Sequence, residues 1–144
     1  MSIGIFLCEC GGNIADVIDL GQIKKIFESE GFFVKTDEHL CSDQGYRLIE
    51  ECIREQGLDK VVIAACSPMI HGRRFQDVLA SAVNPNLLQI VNIREQCAWV
   101  HRSDEALYKA ISLISGKVER VKRSLPRTHE KVEPYKEVAV IGGG

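Results

Sequence analysis

Apolar residues along this chain fall into four short runs separated by amphipathic stretches, and the alternation sets the fold. Ile3-Gly-Ile-Phe-Leu-Cys8 is a continuous apolar run closed by Gly11-Gly12-Asn13, the pattern of a buried strand ending in a turn. Ile18, Ile23, Ile26 and Phe27 share one helical face, with Asp16 and Asp19 as start signals and Glu30-Gly31 as a stop. Phe32–Thr36 reads as a second strand. Ser42-Asp43 then open an amphipathic helix carrying Tyr46, Leu48, Ile49, Cys52 and Ile53, which stops at Gly57. Lys60–Ala65 is the clearest strand; Phe75, Val78, Leu79 and Val83 mark a third helix; Leu87–Val91 is a fourth strand after the Asn84-Pro85-Asn86 turn. From Ser103 to Arg123, Leu107, Ile111, Ile114, Val118 and Val121 form one stripe, acidic at its start and basic at its end, as the helix dipole favours. The expected fold is α/β: an open, mostly parallel sheet of about four strands with helices on both faces, plus a long C-terminal helix.

Beyond Leu125-Pro126 the pattern changes. Residues 127–135 are polar and Pro-bounded, with the composition of a linker, so the α/β domain is expected to occupy residues 1–126. Residues 136–144 read as one more strand running into Gly142 and Gly144, the opening of an FAD- or NAD-binding Rossmann fingerprint that stops before its third glycine. Composition narrows the function classes. The 144 residues are 45% hydrophobic and 26% charged, with 18 Lys and Arg against 20 Asp and Glu, so no basic field invites nucleic acid. The N-terminus lacks the basic region of a secretory signal and its apolar run is too short to span a membrane, so the expectation is a cytoplasmic protein with no membrane partner.

Against that background 6 Cys are conspicuous, because a reducing compartment disfavours disulfides. Cys8 and Cys10 end the first strand, Cys41 follows the second, Cys66 ends the third and Cys97 follows the fourth. In an open α/β sheet those strand ends face one crevice. Cys52 lies instead on the apolar stripe of a helix and reads as a core residue. The chain has no Cys-x-x-Cys, and Asp16 and Gly72 stand where a phosphatase loop after Cys10 or Cys66 needs arginine. An iron–sulfur cluster, a zinc site lacking the usual close ligand pairs, and unrelated buried or reactive thiols remain open on these residues.

The segments Cys8-Glu-Cys10-Gly-Gly-Asn13, Cys41-Ser-Asp43, Ala64-Ala-Cys66-Ser-Pro68 with His71, and Asn92-Ile-Arg-Glu-Gln-Cys97-Ala-Trp99-Val-His101 together resemble the N-terminal domain of the heterodisulfide reductase A subunit, a family of methanogens with related forms in sulfate reducers and acetogens. The resemblance covers nearly the whole chain. It implies one [4Fe–4S] cluster, with Cys10, Cys41, Cys66 and Cys97 as ligands and Cys8 as the fifth candidate. Around it Gly11, Gly12, His71, Arg94 and Trp99 would form the surroundings, Arg94 offsetting the cluster's negative charge. It further implies FAD in the full-length protein, a flavin-based electron-bifurcating complex with the B and C subunits of heterodisulfide reductase, and a dimer built through other domains. No bond-making chemistry is expected within these residues. The rival expectations are a structural zinc module that positions the FAD domain, and a thiol-based redox sensor.

Overall fold

A computed structural model describes residues 2–128, 132–133 and 136–142. Four parallel strands form one sheet in the order β2-β1-β3-β4, with β1 at Ile3–Cys8, β2 at Phe33–Asp37, β3 at Lys60–Ala65 and β4 at Leu88–Asn92. The two central strands, β1 and β3, are buried at every position, which explains why, Lys60 apart, their sequences are apolar throughout rather than alternating. The edge strands carry exposed or half-buried residues, such as Lys35 on β2 and Gln89 on β4.

Helices cover both faces. Helix α1 (Leu20–Ser29) and the long α4 (Ser103–Arg123) pack with Ile3, Ile5 and Leu7 on one face; α2 (Asp43–Glu55) and α3 (Pro68–Val78) pack with Phe6, Cys8, Val61 and Ile63 on the other. Each of the first three helices opens on a side-chain cap: Asp19 accepts from the Gln22 N–H, Ser42 from Gly45 and Ser67 from Met69. Because α1 follows β1 onto one face while α3 follows β3 onto the other, the chain diverges between these neighbouring strands. That divergence opens a crevice at their carboxyl ends.

The observed elements match the expected α/β architecture, with local differences. β2 and β4 each begin one residue later than the apolar runs suggest. The third helical stripe breaks at Val78: Leu79–Ser81 tighten into a 3-10 turn, so Leu79 and Val83 are buried from a turn and a loop rather than from one helix. The segment Arg94–Ala98 forms a π-helical turn that the sequence pattern does not announce. Residues 136–142 carry neither helix nor strand, and Val138, Val140 and Ile141 are exposed. A strand needs a neighbour to hydrogen-bond with, and this sheet supplies none to that segment. Gly142 has a left-handed φ of 87°, and Gly144 lies outside the described residues.

Lys60 is the one buried charged residue among those described. Its Nζ, at the start of β3, donates to the carbonyls of Val121, Lys122 and Ser124 at 2.8, 2.8 and 2.9 Å. A cation thereby satisfies the orphan carbonyls at the α4 C-terminus and fixes the helix across the sheet.

Candidate metal centre

Strand register lines up the carboxyl ends of the sheet: Cys8 pairs with Asp37 and Ala65 with Asn92. The loops that follow carry Cys10, Cys41, Cys66 and Cys97, so one edge of the molecule holds five of the six cysteines, all of them free.

The β1 loop begins with an unusual backbone. Cys10, Gly11 and Gly12 have successive φ values of 56°, 57° and 89°. Cys10 is the one described residue other than glycine in this region, a conformation that costs an L-residue about 1–2 kcal/mol and that clusters at functional sites. The turn is closed by Asn13, whose backbone N–H and side-chain amide both donate to the Cys10 carbonyl at 3.1 Å. A side chain on Gly12 would meet Asp16 Oδ2 at 2.8 Å, so the loop is tight as well as left-handed.

Cys41 is held by a different device. His39, Leu40 and Cys41 run over the N-terminal turn of α2, where Gly45 lets the backbones touch. A Cβ at that position would lie 2.5 Å from the His39 carbonyl oxygen and 2.6 Å from Leu40 Cα and carbonyl carbon. Ser42 closes the loop by accepting from Gly45 N–H at 3.0 Å.

Cys10 and Cys41 lie where their charge acts on both Cys8 and Cys66. Burial pushes the Cys8 thiol up to about 11, and charge on Cys10 and Cys41 adds to the rise, while backbone hydrogen bonds from Leu40 and Cys10 oppose it. Cys66 is likewise pushed up by burial; Arg94 pulls it down, and Cys10 and Cys41 push it up. Cys8, Cys10, Cys41 and Cys66 thus form one electrostatic group at the β1/β3 divergence. As they stand, no three His, Cys, Asp or Glu side chains among the described residues are drawn into a shell tight enough for a single ion.

Cys97, a member of the expected ligand set, lies apart from that group. The π-turn carries it under the end of β4 into the core shared by α1 and α4, beside Ile93 and Ala98, and its exposure is 0%. Burial raises this thiol, and the charge acting on it is Lys109 rather than another cysteine. Cys8, the fifth candidate, faces the α2 and α3 side with Cys41, and Cys10 touches both cores from the strand end. Cys52 is half-buried on α2 against the same core, as a packing residue.

Arg94 is the cation of the site. Its Nη1 donates to Cys10 Sγ at 3.2 Å, its Nη2 donates to Glu95 Oε1 at 2.8 Å, and its guanidinium lies 4.6 Å from the Trp99 ring centroid. Burial works against the charge, but hydrogen bonds to Glu95 and Cys10 outweigh it and hold the guanidinium firmly protonated. Glu95 shows the mirror image: burial disfavours its charge, and the Arg94 hydrogen bond nevertheless holds its carboxyl below the usual range. Asn92 Oδ1 accepts from the Glu95 N–H at 3.0 Å, fixing the turn that presents the pair. Arg94 Nε and Glu95 Oε2 are buried without a partner among the described residues. Trp99 is 56% exposed, an indole cover over the guanidinium rather than core filling. His71 sits half-buried in α3 and makes no hydrogen bond to a thiol. Glu95 was missed from sequence; its adjacency to Arg94 was the available signal, but only the π-turn brings the two side chains onto one side.

The residues fit an iron–sulfur group on their own chemistry. Four thiols at one sheet edge, a left-handed glycine loop at Cys10 and an arginine on the Cys10 sulfur suit an anionic thiolate-bound cluster.

Fold and edge together define a cysteine-rich, doubly wound α/β domain whose thiols gather toward the carboxyl end of its sheet. No family model matches the chain. It is 42% identical over 147 residues to the iron-sulfur A subunit of the CoB–CoM heterodisulfide reductase of Methanocaldococcus jannaschii, covering 99% of this chain and 22% of that protein. It is 41% identical over 142 residues to the A subunit of the ferredoxin:CoB-CoM heterodisulfide reductase of Methanosarcina acetivorans, covering 97% of this chain and 18% of that protein. An A-subunit-like heterodisulfide reductase protein of Archaeoglobus profundus is 35% identical over 147 residues. The chain belongs to the family of heterodisulfide reductase A subunits and spans about a fifth of the length of these curated relatives. No helix among the described residues is long and apolar enough to cross a membrane.

Proposed function

We propose that this domain is an electron relay that holds one [4Fe–4S] cluster at the carboxyl edge of its sheet through Cys8, Cys10, Cys41 and Cys66. The cluster supplies reversible one-electron transfer when bound; the protein's part is to fix four thiolates, exclude water and balance charge. The observation that carries the reading is Arg94 Nη1 bonded to Cys10 Sγ at 3.2 Å, at the sheet edge where Cys8, Cys41 and Cys66 also end or follow strands. The iron-sulfur name of a relative 42% identical over nearly the whole chain supports the same group. Cys8 is preferred to Cys97 because it shares a face with Cys41, whereas Cys97 is fully enclosed among the residues of the α1 and α4 core.

In the wider protein, this relay serves a heterodisulfide-reductase-type complex. There the full-length polypeptide carries FAD on a domain that follows residues 127–135, with residues 136–144 as its first strand and Gly142 and Gly144 in its dinucleotide turn. The B and C subunits are the electron-transfer partners, and flavin-based bifurcation is the source of the electrons.

The test is anaerobic reconstitution of the wild type and of single Cys→Ala variants, read by iron and sulfide content and by low-temperature EPR after dithionite. Wild type is expected to hold about four irons per chain. The variants at 8, 10, 41 and 66 are expected to lose the cluster, and Cys97→Ala to keep it. Loss in Cys97→Ala with retention in Cys8→Ala would restore Cys97 to the ligand set. A stoichiometric zinc with no redox response would replace the relay by a structural module.

A further inference from the structure

Most of the charge at the site sits on the Cys10 side. Arg94 donates to that sulfur, stacks on Trp99 and keeps one buried N–H, at Nε, without a partner. Its counter-ion is not a cysteine but Glu95, whose second oxygen is also buried and unpartnered. The pair is held from both sides. Trp99 covers the guanidinium plane, and Asn92 fixes the backbone of Glu95. Both partners are largely shielded, Arg94 18% exposed and Glu95 27%.

We infer that Arg94 and Glu95 act as an opposed pair that sets the reduction potential of the cluster, Arg94 stabilising the reduced form through Cys10 and Glu95 limiting that effect. This rests on the cluster reading above. The physical basis is simple. Four thiolates on an oxidised [4Fe–4S] core leave a net charge of about −2, and reduction adds another negative charge. A fixed cation hydrogen-bonded to one ligand sulfur favours that extra electron, and a neighbouring carboxylate subtracts from the benefit. The low-dielectric setting makes both contributions larger than at a surface.

The experiment is an EPR-monitored redox titration of the reconstituted domain carrying Arg94→Gln, Arg94→Lys or Glu95→Gln, with iron and sulfide content measured on the same samples. Arg94→Gln keeps a hydrogen-bond donor but removes the charge. At a fixed potential its reduced-to-oxidised ratio is expected to fall about tenfold, equivalent to about 59 mV for a one-electron couple. Arg94→Lys is expected to remain within about threefold of wild type. Glu95→Gln, which still accepts from Arg94, is expected to raise the ratio about threefold. Unchanged potentials in Arg94→Gln and Glu95→Gln at full iron content would overturn the inference. Should Arg94→Gln fail to hold iron, Glu95→Gln decides, and a ratio that stays fixed or falls there overturns it. A wild type that takes up no iron refutes the cluster reading itself, a result distinct from a loaded cluster that ignores the pair.

Discussion

Gly45→Ala sets two well-calibrated effects against each other. Gly45 is the third residue of α2, and glycine in a helix is worse than alanine by about 1 kcal/mol, so helix propensity alone predicts stabilisation. Contact predicts the reverse. The added methyl would sit 2.5 Å from the His39 carbonyl oxygen and 2.6 Å from two Leu40 backbone atoms. These are main-chain atoms, so relief requires moving the Cys41 loop or α2 by roughly 0.8 Å, an overpacking that costs about 1–3 kcal/mol and breaks the Ser42 cap, worth about 1 more. The expected net change is a loss of about 2 kcal/mol, or a Tm lower by about 6 °C for a domain of this size. Gly116→Ala is the control, since nothing lies within 4 Å of its added Cβ in α4; it is expected to gain about 0.5–1 kcal/mol. Urea or thermal unfolding of the two variants by circular dichroism decides. Equal stabilisation by both would show that the Cys41 loop yields freely and that its backbone does not fix the thiol.

Other substitutions probe the remaining supports. Lys60→Met removes the cation from three carbonyls at the α4 C-terminus and is expected to lower unfolding stability by about 3 kcal/mol in urea titration. Ser42→Ala should cost about 1 kcal/mol by the same measurement and, by loosening the Cys41 loop, hasten loss of the visible absorption of the loaded protein under chelator. Cys52→Ala is expected to change stability by less than about 1 kcal/mol and to leave iron content at the wild-type level, because this thiol only packs against the α2 side of the core. Removal of the cluster by oxidation should lower Tm, because a group bound only by the native thiol arrangement stabilises that state.

The sheet was legible because β1 is apolar at every position, β3 at all but its first, and β2 and β4 are bounded by turn residues, while α4 carries an unbroken stripe with dipole-matched ends. Three features were hidden for separate physical reasons. The 3-10 turn at Leu79–Ser81 keeps Leu79 and Val83 buried, so the apolar periodicity runs on past the end of the helix. The π-turn at Arg94–Ala98 spans charged, polar and small residues with no hydrophobic period of its own. Lys60 looks like an ordinary charged residue at a strand start, and its three acceptors lie more than sixty positions away in the chain.

The fourth thiol shows most clearly where sequence order and side-chain direction part. Position after a strand places a cysteine at the right edge of the sheet, but the face it turns to depends on the backbone between strand and thiol. On β1 the period of two fixes the answer: Phe6 and Cys8 face α2 and α3, while Ile5 and Leu7 face α1 and α4. Cys8 therefore shares a face with the Cys41 loop, although it still belongs to the strand. Cys97 follows β4 by five residues, and there the strand period no longer applies. In the π-turn, Trp99 N–H bonds to the Arg94 carbonyl at 2.9 Å and Ala98 N–H to Ile93 at 3.0 Å. That winding sends Arg94 toward Cys10 and Cys97 into the core on the other side. The residue that the π-turn delivers to the thiol edge is therefore the arginine. If the cluster is held as proposed, the segment Asn92-Ile-Arg-Glu-Gln-Cys97 brings charge to the site through Arg94, and Cys97→Ala decides whether it brings a ligand as well.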